Sequence, residues 1–486
     1  MSIPFNNSYV NLPERFYAKQ SPVPVSNPAL IAANHALAEY LGIDPLWLES
    51  DEGVNVIAGN QLADGSEPIA AVYAGHQFGH WNPRLGDGRA VLLGEVVAND
   101  GQRYDIQLKG SGITPFSRNG DGRAPLGPIV RETIVSEAMA ALGIPTSRTL
   151  AAVTTGDAVF RESRLDGGVL ARVAKSHIRI GTLQYFASVE DSEGLKLLVD
   201  HIIERHFAEV RESENPVLSM FEQILKRQAY LIARWQGIGF IHGVMNTDNM
   251  LLSGETIDYG PCAFMDTFDS TALFSSIDHQ GRYAYRNQPA IGHWNLACLA
   301  QALLPLFDVE EEKAVEMAQN SLNQFGGVYQ KEYETVFASK LGLTTTQQDD
   351  EKLIQDFLDL LQNNRCDFTL AFRRLGELPV DEEIIKPLFD FPDAFGDWLN
   401  RWQARCEQES TRYSERHQQM MATNPAFIPR NHLLEEAIQL AYNGDFSLFH
   451  RLNKRLAKPF EYNAADQMLA TPPRPEQIVQ QTFCGT

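Results

Sequence analysis

From Val91 to Leu108 the chain takes on β character: AVLLGEVV, a polar Asn99-Asp100-Gly101-Gln102 turn, then RYDIQLKG. This order predicts a hairpin. A glycine-rich, basic loop follows from Gly110 to Gly127, and then GPIVRETIVSEAMAALGIP. Pro128 at a first helical position, with Gly143 and Pro145 just beyond the end, brackets a helix of about fifteen residues. TLAAVTT and GVLARVA predict two more strands, giving a small sheet with one long helix. Beyond about residue 188 the pattern turns mainly helical. In SMFEQILKRQAYLIARWQGIGF, Phe221, Ile224, Leu225, Gln228, Leu231, Ile232 and Trp235 recur at helical spacing and predict a core face ended by Gly237 and Gly239. IHGVMNTDNMLLSGETIDYG reads as a loop and then a second hairpin turning at Ser253-Gly254. From about residue 290 to the end the text is helix upon helix. Residues 1 to about 69 mix short helical patches, such as Pro28 to Leu41, with loops and read as an extension.

A length of 486 residues suggests two or three packed units. No apolar run approaches the roughly 20 residues a membrane helix needs, so no membrane span is expected. The opening MSIPFNNSYVNLPERFYAKQ has neither a secretory nor a transit pattern, and a cytoplasmic location is the default. A formal charge of -21 makes nucleic acid an unfavourable partner over most of the surface. Between Arg103 and Arg131, however, Arg103, Lys109, Arg118, Arg123 and Arg131 face only Asp105 and Asp121, and Arg161, Arg164, Arg172, Lys175 and Arg179 follow. A nucleotide triphosphate suits that region better than a long strand. Cys262, Cys298, Cys366, Cys406 and Cys484 are widely separated, which indicates neither a zinc site nor a disulfide scaffold. A monomer is the default oligomeric expectation.

Candidate chemistry begins at RLGDGRAVLLGEV, an imperfect glycine loop with Gly86, Gly88 and Gly94, which by itself could merely shape a turn. Lys109 then ends IQLK, which resembles the strand lysine of kinases that pairs the α and β phosphates. The following helix offers Glu132 as its partner, with Glu137 as the alternative. Asn249 and Asp258 bracket MLLSGETI, and an amide oxygen with a carboxylate can bind Mg²⁺ bridging phosphates, because Mg²⁺ prefers hard oxygens and keeps several waters. HGVMNTDN matches the kinase catalytic loop HRDxxxxN at His242 and Asn249, but Val244 stands where the base should be. Asp248 is the nearest carboxylate able to take a proton, or else a residue that caps the loop or supports the metal ligands.

RLGDGRA, QLKGSGITPFSRNGDGRAPLG, IVRETIVSEAM, HGVMNTDNM, TIDYGPCAFMD and DHQGRYAYRNQPAIGHWNL together resemble the selenoprotein O family of pseudokinases over most of the chain. The resemblance implies an α+β, bilobal protein-kinase-like fold. Its parts would be an N-terminal extension (1–69), a small β-rich N-lobe (70–187), a C-lobe with the catalytic and metal loops (188–310) and a helical remainder (311–486). It implies ATP bound in a flipped orientation and transfer of AMP to Ser, Thr or Tyr hydroxyls of proteins. Gly86, Gly88 and Arg89 would contact the nucleotide and Lys109 its phosphates, with Asp121 and Gly122 in the adjoining turn. Arg172 and Arg179 would hold the leaving pyrophosphate, a task suited to guanidinium groups. Asn249 and Asp258 would bind Mg²⁺ or Mn²⁺, and Asp248 would be the base. Family members often carry selenocysteine or cysteine near the C-terminus, and Cys484 stands third from last. Redox regulation through it and an inert tail thiol are both open. Two rival readings are a phosphotransferase using Asp248 and a non-catalytic ATP-binding scaffold.

Overall fold

In the computed structural model, which describes residues 3–378, 385–389 and 392–483, the predicted hairpin is the middle of an antiparallel sheet. Its strands are β1 (Tyr17–Lys19), β2 (Ala29–Ala33) and β3 (Ile69–Ala71). After a separate hairpin of β4 (Gly75–Gln77) and β5 (His80–Asn82) come β6 (Ala90–Val97), β7 (Arg103–Lys109), β8 (Ala124–Pro125), β9 (Arg148–Phe160) and β10 (Arg164–Ala174). The order is β1-β3-β6-β7-β10-β9-β2, with β8 also on β10. The four strands expected from the pattern are therefore present, as β6, β7, β9 and β10.

Alternation along β7 and β10 decides what each face meets. Ile106, Leu108, Val169, Ala171 and Val173 pack with Leu37, Leu48, Val56 and Ile57. Gln107, Lys109, Leu170 and Arg172 lie on the other face, and there Leu170 packs with Ile129 and Ile134 of the helix Leu126–Ala141. That helix starts two residues before Pro128, whose missing N–H is harmless in the first turn.

The N-terminal stretch corrects an expectation. Pro28 to Leu41, read as a helical patch, contains β2 before a short helix His35–Tyr40, whose first turn is capped when Asn34 Oδ1 accepts the Leu37 N–H at 3.1 Å. β1 and β2 join the sheet, and the helix Asp51–Ala58 packs on its second face.

In the helix Pro216–Gly237 all seven residues of the expected face are buried. Beyond it, Phe240–Ile241 pairs with Ala263–Phe264. The second hairpin is reduced to one bridge between Met250 and Thr256. Its backbone groups go elsewhere: Ile180 N donates to Met250 O and Leu252 N to Ile178 O, both at 3.0 Å, while Thr256 N donates to Pro145 O at 2.9 Å. The segment is thus tied to both ends of the sheet region instead of to itself. Among the described residues one helix, 285–307, is long and apolar enough by length and composition to cross a bilayer. Here Leu296, Leu299 and Leu303 are core residues packed with Phe221 and Ile224.

Among the C-terminal helices, Lys340 is buried with its ammonium 4.2 Å from the Phe372 ring centroid and 5.3 Å from that of Phe368. Burial pushes its pKa down to about 7. Between that value and the ordinary lysine range the unfolded chain binds a proton that the folded chain does not, so this group's penalty shrinks as pH rises from about 7 to 10. Lys340→Met is expected to stabilise the protein by about 2–3 kcal/mol near pH 7, after allowing for the ring contacts, and by much less near pH 10. Chemical denaturation at the two pH values checks this; equal gains at both would contradict it.

Candidate functional site

Lys109 ends β7 on the face toward the helix Leu126–Ala141, and its Nζ lies 2.5 Å from Glu132 Oε2 and 3.5 Å from Asp258 Oδ1. Glu132 also accepts from Arg172, at 2.7 Å from Nε and 2.6 Å from Nη2. Arg172 pairs across the sheet with Gln107 and donates Nη1 to its Oε1 at 3.3 Å. Of the two candidate partners, then, Glu132 meets Lys109. Glu137 instead takes Arg148, Asn34 and the Thr149 N–H. Glu132→Ala would strand two buried cations and is expected to cost about 3–5 kcal/mol, readable as a fall in unfolding midpoint. A loss no larger than that of an exposed pair such as Lys313–Glu310 would contradict the assignment.

Asp258 adopts φ 66, a left-handed conformation uncommon for a residue with a Cβ. Burial alone would raise its pKa, but Lys109, Arg89, Arg172 and Arg179 override this and hold the carboxyl well below the usual range. Asn249 donates Nδ2 to Val244 O at 3.0 Å, which leaves Oδ1 as its open acceptor. Val244, where a kinase would have its aspartate, is buried. His242 is a clamp: Nε2–H donates to Ile257 O at 2.9 Å and Nδ1 accepts the Val244 N–H at 3.3 Å. Burial lowers its pKa, consistent with a neutral ring fixing the loop to the residue before Asp258.

Asp248 sits on the same loop with its side chain buried. Oδ2 accepts from Gln77 Nε2 at 3.1 Å, whereas Oδ1 is buried with no hydrogen-bond partner among the described residues. Burial pushes its pKa up to about 6 against the opposing charge of Arg179. The β4–β5 hairpin roofs this loop, with His76 N donating to Thr247 Oγ1 at 2.8 Å and Phe78 N to Asn246 Oδ1 at 3.0 Å. A Cβ on Gly75 would stand 2.9 Å from Asp248 Oδ1, so glycine permits the approach. The sequence reading missed Gln77 and this hairpin; Gly75 and Gly79, flanking His76-Gln77-Phe78, were the available signal.

Arg179 Nη1 donates to Asp248 O at 2.6 Å, the guanidinium lies 4.5 Å from the Tyr73 ring centroid, and Nε has no hydrogen-bond partner among the described residues. Its Nη2 is 3.7 Å from Asp87 Oδ1. Asp87, also missed, is a buried acid whose Oδ2 accepts from Ala71 N and Gln107 Nε2. Arg89 has a buried Nη1 without a hydrogen-bond partner among the described residues. Gly86 and Gly88 are shaped by packing, since a Cβ would come within 2.3 Å of the Phe116 ring at the first and 2.7 Å of Phe116 O at the second. Asp121 pairs with Arg161 at 2.9 Å, and Gly122 (φ 65) lies against Gly112 O. No hydrogen bond or ion pair among the described residues joins this turn to the Lys109 group.

Among the described residues no cluster of three or more His, Cys, Asp or Glu is set to hold a metal. Asn249 Oδ1 and the Asp258 carboxylate are nevertheless the hard oxygens suited to a divalent cation that takes its other ligands from phosphate and water. Cys484 lies outside the described residues.

Lys109, Arg89, Arg172 and Arg179 all act on the one carboxylate Asp258, a concentration of positive charge suited to the phosphates of a nucleotide. The chain's similarities fall in the corresponding class, protein nucleotidyltransferases. It is 54% identical over 487 residues to the protein nucleotidyltransferase YdiU of Rhodopseudomonas palustris (strain BisB5), covering 99% of both chains. It is 54% identical over 486 residues to that of Bradyrhizobium diazoefficiens, again over 99% of both. With the counterpart from Rhizobium etli it shares 53% over 99% of this chain and 97% of the other. The family model described as protein adenylyltransferase SelO matches residues 1–457, and the chain belongs to this family.

Proposed function

We propose that this protein transfers AMP from ATP to Ser, Thr or Tyr hydroxyls of other proteins and releases pyrophosphate, within a kinase-like arrangement in which the sheet region around residues 70–187 and the helical region from 188 enclose the nucleotide. The observation that carries this reading is the buried, unpartnered Asp248 Oδ1 on the loop that also presents Asn249 and leads to Asp258. In the proposed reaction the acceptor hydroxyl oxygen attacks the α phosphorus, the α–β P–O bond breaks, and the hydroxyl proton passes to the Asp248 carboxylate. Its raised pKa makes it a better proton acceptor than an exposed aspartate. Lys109, held by Glu132, and the open donors of Arg89 and Arg179 would bind phosphate oxygens and the departing pyrophosphate. Arg172 would act chiefly by fixing Glu132. Asn249 and Asp258 would hold Mg²⁺ or Mn²⁺, which when bound neutralises charge developing on the phosphates. Gly86 and Gly88 would let the backbone near the nucleotide, with Asp121 and Gly122 in the neighbouring turn.

Peptide mass mapping of an acceptor protein incubated with the chain, ATP and Mg²⁺ or Mn²⁺ tests the reading. AMP increments on hydroxyl side chains are expected, and phosphate increments in their place would favour a phosphotransferase.

A further inference from the structure

The turn Ser253-Gly254-Glu255 lies in the chain between Asn249 and Asp258, and it lines a cavity of about 830 Å³. Lys175 at the end of β10, Lys226 and Arg227 of the helix Pro216–Gly237, and Glu255 all line it, with Ile144 and Val173 among its apolar wall. Neither Lys175 nor Lys226 has an ion-pair partner among the described residues, and both are exposed. Arg227 donates to His206 O at 2.9 Å and lies 4.1 Å from the Phe207 ring centroid, again with no carboxylate partner. These cations stand out on a chain of net charge -21.

Glu255 is 8% exposed. Its Oε2 accepts the Lys175 N–H at 2.9 Å and the Ser253 hydroxyl at 2.8 Å, while Oε1 makes no hydrogen bond among the described residues. The Oε1 of this mostly buried carboxylate is free to accept hydrogen bonds from a ligand, and the neighbouring cations suit one that carries negative charge. The volume lies in the range of small-molecule sites.

We propose that this cavity is a second ligand site, separate from the Lys109–Asp258 group, that takes a phosphate monoester bearing a vicinal diol, with the diol on Glu255 and the phosphate on Lys175, Lys226 and Arg227. Nucleoside monophosphates and sugar phosphates share this chemistry. A ligand here touches the strand that carries Arg172 and the turn between Asn249 and Asp258, so its occupancy would be felt by both.

Equilibrium dialysis of the full chain against labelled AMP, ribose 5-phosphate and inorganic phosphate tests the site. Saturable binding of AMP, of ribose 5-phosphate or of both at up to millimolar concentration is expected, on the order of tenfold tighter than inorganic phosphate. The double variant Lys175→Glu/Lys226→Glu, built on exposed positions, is expected to weaken it at least about tenfold, whereas Asp258→Ala should leave it in place. AMP tighter than ribose 5-phosphate makes the ligand a nucleotide, and equal affinity makes it a sugar phosphate. Absence of binding, binding unchanged in the double variant, or inorganic phosphate matching both esters would overturn the proposal.

Discussion

Asp258→Ala is expected to lower AMP transfer by about a thousandfold or more while the protein stays folded. The carboxylate is the common counter-charge of Lys109, Arg89, Arg172 and Arg179, and with Asn249 Oδ1 it offers the hard oxygens a divalent cation needs. Removing it leaves the cations mutually repelling and takes away half of the protein's share of the metal ligands. Asp258 also occupies a left-handed conformation that alanine tolerates poorly, so circular dichroism must accompany the rate measurement. Initial rates with labelled ATP across a range of Mg²⁺ and Mn²⁺ concentrations give the result. Activity within about tenfold of the unaltered protein, or full recovery at high metal, would remove Asp258 from the proposed role.

The second large effect belongs to Asp248→Asn, which keeps the shape and can still accept the Gln77 hydrogen bond but cannot take up a proton. Loss of a positioned base is worth about 10²–10⁴ in rate. The turnover number is expected to fall by that factor with the KM for ATP changed less than about threefold, because the role proposed for Asp248 is toward the acceptor hydroxyl rather than the nucleotide. If turnover were retained, the proton must leave by another route. If KM rose together with the fall in turnover, Asp248 would be holding the nucleotide.

How much of this could be read beforehand depended on whether the signal was local. The β6–β7 hairpin, the helix Leu126–Ala141 and the helix Pro216–Gly237 carry their periodicity and end signals within a few residues, and each formed where expected. Lys109 and Asp258 could be picked out because a strand end and a short loop fix them, and their side chains lie 3.5 Å apart. Ala29–Ala33 was misread because an alanine-rich run suits helix as well as strand, and only pairing with β9 decides it. The choice between Glu132 and Glu137 turned on helix rotation relative to the sheet, and the hydrogen bond from Gln77 to Asp248 joins residues 171 positions apart. Gly86 and Gly88 shape a turn, as their spacing alone allows, and the neighbour that leaves no room for a Cβ there, Phe116, lies about thirty residues further along the chain.

The central claim is that the α phosphate, not the γ phosphate, reaches the protein acceptor. Parallel incubations of the chain and an acceptor protein with ATP labelled at one or the other position, with Mg²⁺ or Mn²⁺ present, test it most directly. The account predicts protein-bound label from α-labelled ATP and none from γ-labelled ATP, whose label should appear in pyrophosphate. Protein-bound γ label without α label would contradict it.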